Sequence, residues 1–180
     1  AIVVGDSRTG ATQKLDGPYY IIRWLLRFAQ LGIAPVPLPL RPSRYHLALA
    51  PRDYVLDALD TLAARADTSG QTFHLVDAHP PSIPDVLEQF AEAAGVRAVG
   101  IPAPIQLVRS ALQALPPVRS WIGIEPETFA YFTHPTRYAS LATQQALAPT
   151  GIACPPFASY AANLVRFTRA HPHISSAAMA

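Results

Sequence analysis

An α/β fold is predicted by the order and spacing of apolar residues in this 180-residue chain. The sequence opens on an apolar strand, Ile2-Val3-Val4, that runs into a polar loop bounded by Gly5 and Gly10. Two stretches with helical spacing, residues 52–66 and 82–95, bracket a second apolar strand at 72–76. Half of the residues are hydrophobic and only 14% are charged, which is ample material for a packed core.

Each element has a local cause. An all-apolar strand at residues 2–4 needs neighbours on both sides, and complete domains usually lead into such a strand with polar residues, so the chain reads as a segment of a longer one. A loop at the carboxyl end of a strand is where ligands sit in α/β proteins, which draws attention to Gly5-Asp6-Ser7-Arg8-Thr9-Gly10. Residues 18–31 form the next helix: Pro18 suits an early helical position, Gly32 suits the end, and Ile22, Leu25, Leu26 and Ala29 recur at helical spacing. The alternating prolines of residues 34–42 forbid a helix and hold that section extended, as a connector.

The helix at 52–66 should bury Tyr54, Val55, Ala58, Leu59 and Leu62, and Gly70 breaks the chain after it. Beyond the strand at 72–76, Ser82 is the expected N-cap of a helix through Val86, Leu87, Phe90 and Ala94, closed by Gly95. Further helical pieces are expected at 105–115, 126–132, 141–148 and 159–170, which together make a small α-rich lobe. The tail from His171 to Ala180 is small and polar enough to fray.

Composition excludes several classes of function. Net charge is +2, with 14 basic and 12 acidic residues, and no basic run concentrates it, so no nucleic-acid partner is expected. Mean hydropathy is +0.18, yet no apolar run approaches the roughly 18 residues of a membrane span. The single Cys154 excludes an internal disulfide and a thiolate-rich zinc site, favouring a reducing, cytoplasmic setting. His171 and His173 have no further ligand block, and no metal site is expected. Cys154 itself has no basic neighbour to activate it.

The string Val4-Gly5-Asp6-Ser7 resembles the nucleophile block of SGNH (GDSL-type) hydrolases. That resemblance implies Ser7 as nucleophile with Asp77 and His79, from Asp77-Ala78-His79-Pro80, as its partners. The spacing of that Asp-His pair is one residue short of the family's block, and no Gly-x-Asn-Asp oxyanion string lies between.

A broader resemblance is carried by four blocks in order. They are Ile2-Val3-Val4-Gly5-Asp6-Ser7-Arg8-Thr9-Gly10, Asp16-Gly17-Pro18-Tyr19-Tyr20, Asp53-Tyr54-Val55-Leu56-Asp57-Ala58-Leu59, and Gly70-Gln71-Thr72-Phe73-His74-Leu75-Val76 followed by a Ser-initiated helix. In these the chain resembles the C-terminal part of an extended short-chain dehydrogenase/reductase, of the kind that includes thioester reductases, fatty acyl reductases and nucleotide-sugar epimerases. Ala50-Pro51-Arg52 departs from the family's Val-Pro-Val pattern.

The resemblance implies a partial Rossmann-type NAD(P)-binding fold. Residues 1–100 would hold late strands and helices with substrate-lobe insertions, residues 101–170 a mostly helical substrate lobe, and 171–180 the tail. It implies NADP or NAD as cofactor of the complete protein, bordered here by Val4, Gly5 and Ser7. Asp6, Arg8, Tyr19, Tyr20 and Trp24 would face a small apolar substrate. The Gly-rich nucleotide fingerprint and the catalytic Tyr-x-x-x-Lys are both absent from these residues. Tyr19-x-x-x-Arg23 has the spacing, but an arginine cannot share that lysine's proton-relay role. No catalytic residue and no tight cofactor binding are therefore expected of this chain alone, whose partner would be the missing N-terminal half or a second copy. A non-catalytic binding or assembly domain, with the helix at 19–31 as an exposed interface, is the remaining alternative.

Overall fold

The computed structural model describes residues 1–38, 44–104 and 138–175, together with positions 106, 110 and 114. Four strands pair in two parallel ladders. Strand β1 (Ile2–Val4) runs beside β3 (Leu49–Pro51), with Ile2 opposite Leu49 and Val4 opposite Pro51. Strand β2 (Ile33–Leu38) runs beside β4 (Arg97–Pro102), from Ile33 opposite Arg97 to Leu38 opposite Pro102. The described α-helices are α1 (Tyr19–Arg27), α2 (Arg52–Ala63), α3 (Ile83–Ala94), α4 (Leu141–Leu147) and α5 (Ala161–Ala170), with short 3-10 turns at Ala66–Thr68, Ala148–Thr150 and Phe157–Ser159. Mixed helix and strand with small parallel sheets is compatible with a partial Rossmann-like α/β fold.

Up to Leu38, its last described residue before position 44, the proline-rich connector is a strand, and its register explains how. Residues of even number in β2 turn their polar backbone toward β4, as the bonds from the Arg97 amide to the Gly32 carbonyl and from the Ala103 amide to the Leu38 carbonyl show. Pro35 and Pro37 fall on the opposite edge, where a missing N–H costs no ladder bond. The Pro35 carbonyl on that edge instead accepts the Trp24 indole N–H at 2.7 Å.

The helix boundaries follow their capping chemistry. Ser82 and Asp85 form a capping box at the start of α3, the Asp85 amide donating to Ser82 Oγ and the Ser82 amide to Asp85 Oδ2. Gly95 ends the helix in the left-handed region at φ 74°. Regular α-helix in α1 stops at Arg27, and turns carry the chain to Gly32 at φ 69°. The apolar stripe of α1, with Tyr19, Tyr20, Ile22 and Leu25 buried, belongs to the core and is not the exposed interface of the assembly-domain alternative.

That core joins α1, α3 and α5 beneath the two ladders, around Val4, Ile22, Leu49, Phe90, Tyr160 and Leu164. A smaller cluster holds Ala50, Tyr54, Ala58, Leu62 and Leu147 between α2 and α4. In α2 the buried positions step by four residues, which leaves Leu59, expected inside, 52% exposed.

Other expectations differ from the structure in instructive ways. Strand β1 has one ladder neighbour among the described residues, and Val3, opposite in facing to the buried Val4, is 52% exposed. Residues 72–76 run without a ladder. Their backbone is held from the other side, where the Thr143 hydroxyl donates to the His74 carbonyl at 2.9 Å, and a gap of about 340 Å³ separates Phe73 to Val76 from Ala1 and Val3. Residues 171–175, composed like a frayed tail, are tied down: Arg23 donates to the Pro172 and Ile174 carbonyls, and the Leu15 amide to the Ser175 carbonyl. The helix expected at 126–132 lies outside the described residues, and of the one at 105–115 only Gln106, Ser110 and Ala114 are described, all helical. No helix among the described residues is long and apolar enough to cross a membrane.

Candidate functional site

The loop at the carboxyl end of β1 is built by its own side chains. Asp6 Oδ1 accepts from the Arg8 amide, the Thr9 amide and the Thr9 hydroxyl at 2.9–3.0 Å, folding the chain back in an Asx turn. The Asp6 amide then donates to the Ala11 carbonyl and the Gly10 amide to the Asp6 carbonyl. The Thr9 hydrogen bonds, from amide and hydroxyl, hold the Asp6 carboxyl below its ordinary range.

Three helices clamp this loop from outside. At the start of α2, Asp53 takes the Ser7 amide on Oδ1 at 2.9 Å and the Ser7 hydroxyl on Oδ2 at 2.5 Å. From α5, Asn163 donates to the Ser7 carbonyl at 2.7 Å. From α1, the buried Tyr19 hydroxyl accepts the Gly5 amide at 2.7 Å, and burial pushes its phenol up to about 12. Both glycines are required by packing. A Cβ on Gly5 would collide with the Gly10 carbonyl, and one on Gly10, at φ 75°, would collide with the Asn163 carbonyl.

Of the residues assigned from the sequence, Val4, Gly5, Asp6, Ser7, Arg8 and Tyr19 come together here. Arg8 is exposed and Asp6 is partly so, while Val4 and Gly5 are buried. Tyr20 is buried on α1, and Trp24 faces β2 through its Pro35 bond. Asp53 and Asn163 have no site role that the sequence alone suggests. Asp53 has the look of an ordinary first-turn acid of a helix, and Asn163 lies 156 positions from its partner with no local signature.

The Ser-Asp-His geometry of acyl transfer is not formed. Ser7 Oγ donates to Asp53, and no histidine among the described residues hydrogen-bonds it. Asp77, 8% exposed, accepts the His79 backbone amide on Oδ1, not the imidazole.

Asp77 and His79 instead line a cavity of about 630 Å³ between α2, α3, α4 and residues 151–158, together with Tyr54, Gln89, Gln144 and Cys154. Burial, then the charges of Asp77 and Asp53, push the Cys154 thiol up to about 12, so it stays protonated at neutral pH. Burial likewise raises Tyr54 to about 12 and Tyr160 beyond the ordinary phenol range. Gln89 Oε1 and the Tyr160 hydroxyl are buried without a hydrogen-bond partner among the described residues. No group of three or more metal-ligating side chains converges among those residues.

No family model matches the chain, and no curated protein matches it. Among solved structures it is similar to the terminal R domain, a reductase domain, from the myxalamid PKS-NRPS biosynthetic pathway. The TM-score is 0.67 at 25% identity, over 94% of this chain and 42% of that one. A fainter likeness, to gox2253, has a TM-score of 0.49 at 16% identity, over 87% of this chain and 56% of that one. The reductase domain is of the kind that the sequence resemblance names, and the chain is similar, over nearly all of its own length, to less than half of it.

Proposed function

We propose that the chain is the substrate-side, C-terminal part of an NAD(P)-dependent reductase of the extended short-chain type. The complete protein would reduce a carbonyl, aldehyde or thioester group on an apolar substrate. The observation that carries this reading is the clamped turn after β1. It is a strand-end loop held by three helices, in a chain similar over 94% of its length to a reductase domain.

The residues present would border a nicotinamide cofactor, NADP or NAD, without holding it. Gly5 is filled in by its own loop, so its missing side chain leaves no cradle for a phosphate. The Gly-rich fingerprint and the Tyr-x-x-x-Lys pair do not occur in these 180 residues. Within that border the chain's own contribution is positional. Asp53, Asn163 and Tyr19 fix the backbone of Gly5 to Ser7, and the exposed Arg8 is left to meet a ligand.

The test is an assay of the native polypeptide that contains this sequence. NADPH or NADH consumption, followed at 340 nm with octanal and with an octanoyl thioester, is expected to depend on both cofactor and acceptor. The isolated chain is expected to be inactive. Absence of turnover with either cofactor and either acceptor in the native polypeptide would sink the reading.

A further inference from the structure

The cavity beside α2 has a chemical bias that the loop lacks. Its volume of about 630 Å³ is within the usual range for small-molecule sites, about 300–1,000 Å³. Leu147, Ile152 and Phe157 supply an apolar wall. The polar groups facing it are rich in acceptors. Asp77 is 8% exposed, and with Oδ1 taken by the His79 amide its Oδ2 has no hydrogen bond among the described residues. Gln89 Oε1, buried with no partner among them, is closed to water-sized groups and lies behind the wall, not on it. Asp85 adds a second carboxylate, committed to the Ser82 cap, and no lysine or arginine lines the space among the described residues.

We propose that this cavity is a binding site for a small apolar molecule ending in a hydrogen-bond donor, with an ammonium preferred over a hydroxyl and a carboxylate excluded. A carboxylate oxygen free of protein partners, on a side chain largely removed from water, rewards a cationic donor most. An anion brought to the same wall meets two carboxylates, with no lysine or arginine in the lining among the described residues to offset them. Cys154 and Tyr54 stay protonated and add no charge. The inference stands on the lining alone and does not depend on the reductase reading.

The test is titration of the ¹⁵N-labelled 180-residue chain at pH 7 with n-hexylamine, n-hexanol and hexanoate, followed by amide shifts. Hexylammonium should move the amides around Gln89, Asp77 and Ala158 saturably, about tenfold more tightly than hexanol, with hexanoate without effect. Asp77→Asn keeps the oxygen that caps the His79 amide. It should bring hexylammonium down to the affinity of hexanol while leaving hexanol unchanged. Hexanoate binding as tightly as hexylammonium, shifts scattered away from the lining, or no saturable shift with any of the three would each overturn the proposal.

Discussion

In the turn after β1, Asp6, Ser7 and Thr9 all have partners, and Ser7 is gripped at its amide, hydroxyl and carbonyl. Around the cavity the pattern reverses: among the described residues one oxygen of Asp77 is left over in the lining, and Gln89 Oε1 has no partner behind it. The first region resembles a scaffold finished within the chain, its bonds running from the buried Gly5–Tyr19 pair to the exposed Asp6 turn. The second is unfinished from the chain's point of view. The spare oxygen of Asp77 holds nothing in the fold, whereas its Oδ1 caps the His79 amide and Asp85 caps α3. Polar satisfaction thus separates the residues that hold the loop from those that, on the proposal above, would meet a ligand.

The sharpest way to break the comparison is at Gly10. Gly10→Ala combines a left-handed backbone with a collision against the Asn163 carbonyl, and urea denaturation should show a loss of about 3 kcal/mol or more. Asp53→Ala removes both bonds to Ser7 and should cost about 2 kcal/mol by the same measurement. A loss under a few tenths would mean that the clamp is not holding the loop.

The two buried tyrosines give a paired test of opposite sign. Tyr19→Phe strands the Gly5 amide and should cost about 1–2 kcal/mol. Tyr160→Phe removes a hydroxyl with no partner among the described residues and should be neutral or stabilising by up to about 1 kcal/mol. Ser82→Ala, which opens the capping box of α3, should cost about 1 kcal/mol and lower Tm by about 2–4 °C.

The pH dependence tests the same burial without a large change to packing. Tyr19, Tyr54 and Cys154 all have folded values near 12, above their ordinary values of 10.0, 10.0 and 9.0. The folded state therefore binds these protons more tightly than the unfolded one. Their contribution is complete below pH 9 and is lost as pH rises from there toward 12. Cys154→Ala should flatten the first part of that decline, measured as Tm against pH. At pH 8, iodoacetamide should modify Cys154 in the folded chain far more slowly than in urea.

Elements whose causes are local are legible in the amino-acid sequence alone. Ser82 and Gly95 bound α3 because a cap and a left-handed stop act within a few residues. Pro18 marks the start of α1 for the same reason, whereas Gly32 closes the turns that follow Arg27 and not the helix itself. The connector at 34–42 is legible only as extended, since whether a proline edge can pair depends on which side β4 arrives. Residues 72–76 have strand composition but no ladder, and Leu59 has a place in the apolar pattern of α2 but no partner to bury it.

The candidate site divides along the same line. Composition, turn chemistry and strand order by themselves determined an α/β chain with a glycine-bounded loop after its first strand and the residues Gly5 to Arg8 in it. Only the tertiary structure decided what that loop leans on, that Ser7 belongs to Asp53 and not to His79, and that Asp77 and Gln89 share a cavity. Caps, turns and helical spacing act over a few residues and leave a trace in local sequence. A clamp from Asn163 to Ser7, or a cavity drawn from several helices, forms only when distant segments pack, and neither leaves a local pattern to read.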